Sequence, residues 1–210
     1  MGENIVTAHN VPGWRFWLPL AAQVALILAV PAQAVYTQVS GRTAILQTVP
    51  VDPYDLLRGY YVTLSYDISR LETLQNLPGG EILVTPDWSG QYPSLFEAGM
   101  PFYVVLQPAV AADSTSPLPQ AWQPVRISGD RPANLPANQL ALQGNYRRGS
   151  ISYGLEAYYI PEDQRIEINE RINQSQQSDG TRAFVVEVKV NAQGEAVPVS
   201  LWVGDRNYRF

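Results

Sequence analysis

Cysteine is absent from all 210 residues, which removes disulfides and thiolate-ligated metals from consideration. Histidine is nearly absent. His9 is the only one and precedes the long apolar segment, so a zinc site lacks its usual nitrogen and sulfur ligands, and no metal or other cofactor is expected. Lysine is reduced to Lys189, so almost every basic residue is arginine. Positive charge is short overall, with a formal net charge of -5 and a pI near 4.9. Nucleic acid and anionic-lipid surfaces bind through clustered Lys and Arg, so neither is an expected partner, and Arg147-Arg148 is the one local basic pair. Motifs with a known mechanism are missing too: there is no P-loop, G-x-G-x-x-G turn, H-E-x-x-H helix or G-x-S-x-G elbow. No internal repeat at solenoid or propeller spacing is visible.

What the chain does have is one long apolar run, Phe16 to Val35, free of charged side chains. As a helix it would span roughly 30 Å, the hydrocarbon thickness of a bilayer. Trp14 and Trp17 stand at one edge and Tyr36 at the other, where amphipathic rings favour the headgroup zone. Three readings are open. The run is a retained anchor, a cleaved signal peptide read at Ala32-Gln33-Ala34, or a buried core helix. Pro19 and Pro31 favour the bilayer over a soluble helix interior, because neighbours in a membrane can re-satisfy the freed backbone groups. Arg15 on one side faces Arg42 and Arg58 on the other, so charge bias barely sets orientation. A long domain after an N-terminal span translocates largely regardless of its charge. The expectation is a tail over residues 1–13, a transmembrane anchor or signal over 14–36, and one extracytoplasmic domain over 37–210. The localisation that follows is single-pass in the cytoplasmic membrane.

Beyond the anchor the hydrophobic period is two. Tyr60, Val62, Leu64, Tyr66 and Ile68 alternate with Tyr61, Thr63, Ser65 and Asp67, which predicts a half-buried strand. Further strands are expected at Phe102 to Leu106 and at Ser152 to Ile160. A hairpin is expected with Phe184, Val186, Val188 and Val190 on one face, a turn over Asn191 to Gly194, and Val197, Val199, Leu201 and Val203 returning on the same face. Weaker strand patterns lie at Arg42 to Val49, Glu81 to Thr85, Pro124 to Ser128 and Gln139 to Gln143. Pro161 to Gln174 opens with Pro and then Glu162 and Asp163, as a short helix does, and Pro108 to Pro119 and Gly129 to Asn138 read as loops. The fold class is therefore mainly β: a single antiparallel β-rich domain, sandwich or barrel-like, with one short helix, preceded by an N-terminal transmembrane helix.

The densest block of unusual residues runs from Val49-Pro50-Val51-Asp52-Pro53-Tyr54-Asp55-Leu56-Leu57-Arg58 into Gly59-Tyr60-Tyr61-Val62-Thr63-Leu64-Ser65-Tyr66. Pro50 and Pro53 hold the backbone extended, Asp52 can accept N–H groups in an Asx turn, and Arg58-Gly59 launches the strand. A rigid turn with Asp52 or Asp55 paired to Arg58 explains the same residues without function. Here the chain resembles the bacterial GDYxxLxY family of membrane-anchored proteins, whose members read close to P-V-D-P-R-D-L-x-R-G-D-Y-x-x-L-x-Y. Asp52, Asp55, Arg58, Gly59, Tyr61, Leu64 and Tyr66 all match. A second block, Tyr153-Gly154-Leu155-Glu156-Ala157-Tyr158-Tyr159-Ile160-Pro161-Glu162, looks like that family's Y-G-I-E-x-Y-F-V-P-E segment. The resemblance implies an extracytoplasmic β-rich domain and no catalytic assignment. The chain departs from it at Tyr54 and Tyr60, where relatives carry Arg and Asp, so an ion pair there is expected to have become an aromatic contact.

Two functions from different classes fit. The first is a non-enzymatic module that binds an integral membrane protein or envelope component, with the lipid bilayer itself contacted through residues 14–36. The alternative is a carboxylate-dependent cell-envelope hydrolase, with Asp52, Asp55, Glu156 and Glu162 as acids or bases and Arg58 or Tyr66 as orienting groups. A Ser–Lys hydrolase is suggested by the similarity of Arg58-Gly59-Tyr60-Tyr61-Val62 to the strand start of membrane-anchored signal peptidases. It fails on lysine, because Lys189 alternates with Val188 and Val190 onto the outward face beside Glu187. A calcium site from Asp52, Asp55 and Asp67 lacks EF-hand-like spacing.

Overall fold

A computed structural model describes residues 13–49, 57–58, 61–83, 99–109, 118–147, 149–159, 167, 170 and 184–209. The chain divides into two compact units, Met1–Tyr36 and Thr37–Phe210. The first is the apolar helix α1, Trp14–Ser40, whose last turn belongs to the second unit. Pro31 has no N–H to give to the helix ladder, and the halves Trp14–Ala29 and Pro31–Ser40 meet at 41°. Among the described residues no single helix is long and apolar enough to cross a membrane, while the two halves of α1 pass that test together.

The second unit is mostly β. Among the described residues its strands are β1 (Arg42–Val49), β2 (Leu57–Arg58), β3 (Tyr61–Thr63), β4 (Ser65–Tyr66), β5 (Met100–Gln107), β6 (Gln123–Ser128), β7 (Leu140–Arg147) and β8 (Ser150–Ser152). The remaining four are β9 (Ala157–Tyr159), β10 (Phe184–Val190), β11 (Ala196–Val203) and β12 (Arg206–Arg209). They form antiparallel sheets in the orders β12-β11-β10-β1-β4, β6-β5-β7-β8 and β2-β3-β9. One apolar cluster joins the two larger sheets. It takes Ala44, Leu46, Val186, Val188 and Leu201 from the first and Phe102, Val104, Leu106 and Leu142 from the second, as alternating strands with one face on a shared core require.

Period two located most strands but misjudged their continuity. The expected strand Tyr60 to Ile68 is cut at Leu64: β3 pairs with β9, β4 pairs with β1, and Ile68 sits in a 3-10 turn, Asp67–Ser69. The strand expected over Ser152 to Ile160 is likewise divided into β8 and β9, because Gly154 adopts a positive φ of 74° that no strand tolerates. Where Glu81 to Thr85 suggested a strand, Gly80–Leu83 is a 3-10 turn. It follows α2 (Leu71–Gln75), an element the sequence pattern did not indicate. The hairpin β10–β11 is present with a bulge: Glu187 opposes Ser200 but Val188 opposes Pro198. The extra residue, Val199, flips the faces beyond it, so Val197 stands opposite the outward Lys189 while Ala196 packs on the core. Of the helix expected over Pro161 to Gln174, Glu167 and Glu170 are described and both are helical.

Candidate functional site

The two motif blocks lie against each other. Strand β3 pairs with β9, matching Tyr61 with Tyr159, Val62 with Tyr158 and Thr63 with Ala157. Beyond this ladder the Leu64 N–H donates to the Glu156 carbonyl at 2.8 Å. Two tyrosines then cross in opposite directions. The Tyr66 hydroxyl donates to the Leu155 carbonyl at 2.8 Å, and the Tyr153 hydroxyl donates to the Ile68 carbonyl at 2.6 Å. Each block thus satisfies a carbonyl of the other at the place where its own strand is interrupted, and an orphan carbonyl in the core is avoided.

The clasp explains its own residue types. Leu64, Tyr66, Tyr153 and Leu155 are all buried, Tyr66 and Leu155 completely. Gly154 sits at positive φ with open space around it, so conformation, not crowding, demands glycine there. The Glu156 carboxylate accepts the Tyr153 N–H and closes the tight turn between the two. The Tyr153 ring packs edge-on against Phe102, with centroids 6.2 Å apart, over a hollow left by Gly144. A Cβ on Gly144 would lie 2.7 Å from Phe102 Cζ and 2.8 Å from Tyr153 Cε1.

Burial first, and the Glu156 carboxylate second, push the Tyr153 phenol well above its ordinary value. The unfolded chain therefore releases this proton near pH 10 while the folded one keeps it. Stability contributed by Tyr153 is complete below pH 10 and falls as pH rises above it. Chemical unfolding between pH 8 and 11 should show that decline in the parent and a shallower one in Tyr153→Phe; equal slopes would disprove the assignment.

Of the other sequence candidates, Arg58 and Tyr61 are placed as a backbone pair between β2 and β3. Asp52, Asp55, Gly59 and Glu162 lie outside the described residues, as does the expected contact between Tyr54 and Tyr60. Asp67 opens the 3-10 turn, and its carbonyl accepts the Arg70 N–H. Among the described residues no group of three His, Asp or Glu side chains is arranged to hold a metal ion. Glu167 is used at the sheet edge: it lies 3.5 Å from Arg206 Nη1 and accepts the Tyr208 hydroxyl at 3.4 Å.

A second polar centre has no distinctive mark in the sequence. Asn191, 8 % exposed, donates from Nδ2 to Thr37 Oγ1 at 2.9 Å and to Glu195 Oε2 at 2.8 Å. Its Oδ1 accepts the N–H groups of Gln193 and Glu195, so every hydrogen-bonding capacity of the amide is filled. Asn191 thereby ties the last turn of α1 to the β10–β11 turn. The signal available was Asn191 opening a Gly-containing turn, which predicts an Asx turn but not its distant partner.

Compared with known proteins, residues 23–201 match a family model described as GDYXXLXY protein, a match that covers most of the chain. No curated protein and no solved structure matches it.

Proposed function

Because this chain belongs to the GDYXXLXY family, we propose that it is a membrane-anchored extracytoplasmic β domain serving as a binding or assembly module for a membrane or envelope partner. The observation that carries this reading is the use of the described signature residues. The hydroxyls of Tyr66 and Tyr153 are committed to backbone carbonyls and the Glu156 carboxylate to a backbone N–H. That half of the signature builds a rigid body instead of presenting acid, base or nucleophile to a substrate. The carboxylate-dependent hydrolase keeps Asp52, Asp55 and Glu162 as its candidates.

The anchor part of the proposal draws on α1. All the exposed large hydrophobic side chains among the described residues lie on it, Leu26 at 72 % and Ile27 at 63 % among them. An uncovered apolar surface of that length in water is a liability that a bilayer removes. The natural lack of cysteine offers a direct test. Ser150→Cys, at the exposed start of β8, should react with a membrane-impermeant maleimide in intact spheroplasts expressing the full chain. Labelling that appears only after lysis, or protein recovered free in the cytosol, would overturn the topology. Crosslinking in the same membranes should capture one specific membrane protein, and capture of none would weigh against a binding module.

A further inference from the structure

A pocket of about 300 Å³ opens beside the start of the β body. One wall is Ser40 and Arg42, a second is Val190 at the end of β10 with Asn191 and Ala192 of the turn after it, and the third is the loop from Arg131 to Gln139 with Leu140 and Ala141 at the start of β7. Among the described residues its charged lining consists of Arg42 and Arg131, a cationic concavity in a chain of net charge -5. We propose that this pocket binds the phosphate of an anionic phospholipid headgroup, with Arg42 and Arg131 as the two ligating side chains.

The geometry prepares the site. Arg42 Nη1 donates to the Gln139 carbonyl at 2.7 Å and Nη2 to the Ala137 carbonyl. Neutral carbonyls hold the guanidinium in place without cancelling its charge, and three of its five N–H groups remain for a ligand. Arg131 makes no hydrogen bond or ion pair among the described residues. Asn191 is fully bonded and contributes shape only. Two guanidinium forks match a phosphate, which accepts paired N–H donors, better than any neutral group. The carbonyls at the end of α1 oppose an anion with about half a charge, against two full positive charges. The volume is at the small end for ligand pockets and suits a headgroup.

The source follows from the covalent chain and rests on the anchor reading above. Ser40 lies four residues beyond Tyr36, a separation of at most about 14 Å even when extended. A pocket whose wall includes Ser40 therefore lies within reach of the headgroup zone in which Tyr36 would sit. Overall charge argued against anionic lipid as a surface partner, but a single headgroup in a local pocket is governed by the two arginines beside it.

The test uses the full chain purified in detergent and offered equal amounts of phosphatidylglycerol and of diacylglycerol, the same glycerolipid without a phosphate, with bound lipid read by native mass spectrometry. The expected result is a phosphatidylglycerol preference of at least about tenfold, the factor one charge-assisted hydrogen bond carries. Arg131→Gln, an exposed position without a described partner, should fold normally and bring the ratio near unity. Equal retention of both lipids by the parent, or an unchanged preference in Arg131→Gln, overturns the site. Glycerol 3-phosphate that binds while neither lipid is preferred overturns the lipid source. Maleimide labelling of Ser150→Cys fails or succeeds independently: labelled protein without lipid preference sinks this site alone, and lipid preference with cytosolic labelling sinks the topology alone.

Discussion

Tyr66→Ala should destabilise the full chain in detergent by about 3–5 kcal/mol, the range for removing a large side chain from a core. Tyr66→Phe should cost about 1–2 kcal/mol, because it keeps the ring and orphans the Leu155 carbonyl. The difference between the two separates packing from the clasp's hydrogen bond. Tyr66 is wholly buried among core residues drawn from both large sheets, so no solvent can enter to replace its ring or to satisfy Leu155. Equilibrium urea unfolding with unchanged denaturant dependence is the measurement. A Tyr66→Phe variant as stable as the parent would mean that the last tyrosine of the signature is kept for something other than this bond.

Gly41→Ala should cost about 3 kcal/mol, at the upper end of what overpacking does. A Cβ there would lie 2.4 Å from the Thr37 carbonyl oxygen and 3.1 Å from the backbone C and N of Val190. Both neighbours are backbone. The Thr37 oxygen is also held by the Gly41 N–H at 2.9 Å, and Thr37 by Asn191, so neither wall can retreat as a flexible side chain would. Gly149→Ala is the control: its φ is +80° but nothing lies within 4 Å of its Cβ, so only the left-handed backbone cost of about 1–2 kcal/mol applies. Thermal unfolding should rank the two variants in that order. A Gly41→Ala variant no worse than Gly149→Ala would show that the end of α1 is not packed against β10 as described.

Both predictions concern residues whose importance the sequence shows only partly. Tyr66 stands out because it shares the apolar face of Leu64 and Ile68 and falls in a family motif, and both of those residues are buried. Its partner did not stand out, because a backbone carbonyl has no side-chain identity to read. Leu155 is 89 residues away, and hydrogen bonds of that kind follow from where two strands stop. Glu156 illustrates the converse. As a carboxylate in a conspicuous motif it reads as a catalytic candidate, yet its carboxylate accepts a local N–H and its carbonyl extends the β3–β9 ladder. Arg42 and Arg131 read as ordinary scattered charges, being 89 positions apart in the chain, and only the fold makes them neighbours of one pocket.

The amino-acid order alone determined the apolar helix at the start, the β character of the rest and the inward faces of β5 and most of β10–β11. Those properties depend on the period of hydrophobicity, which is local. Tertiary structure alone decided where strands break, as at Leu64, Gly154 and the bulge at Val199. It also decided which motif block meets which and which arginines share a cavity. These outcomes depend on pairing between segments far apart in the chain, where the need to satisfy buried carbonyls and to fill one core selects among many locally equivalent arrangements.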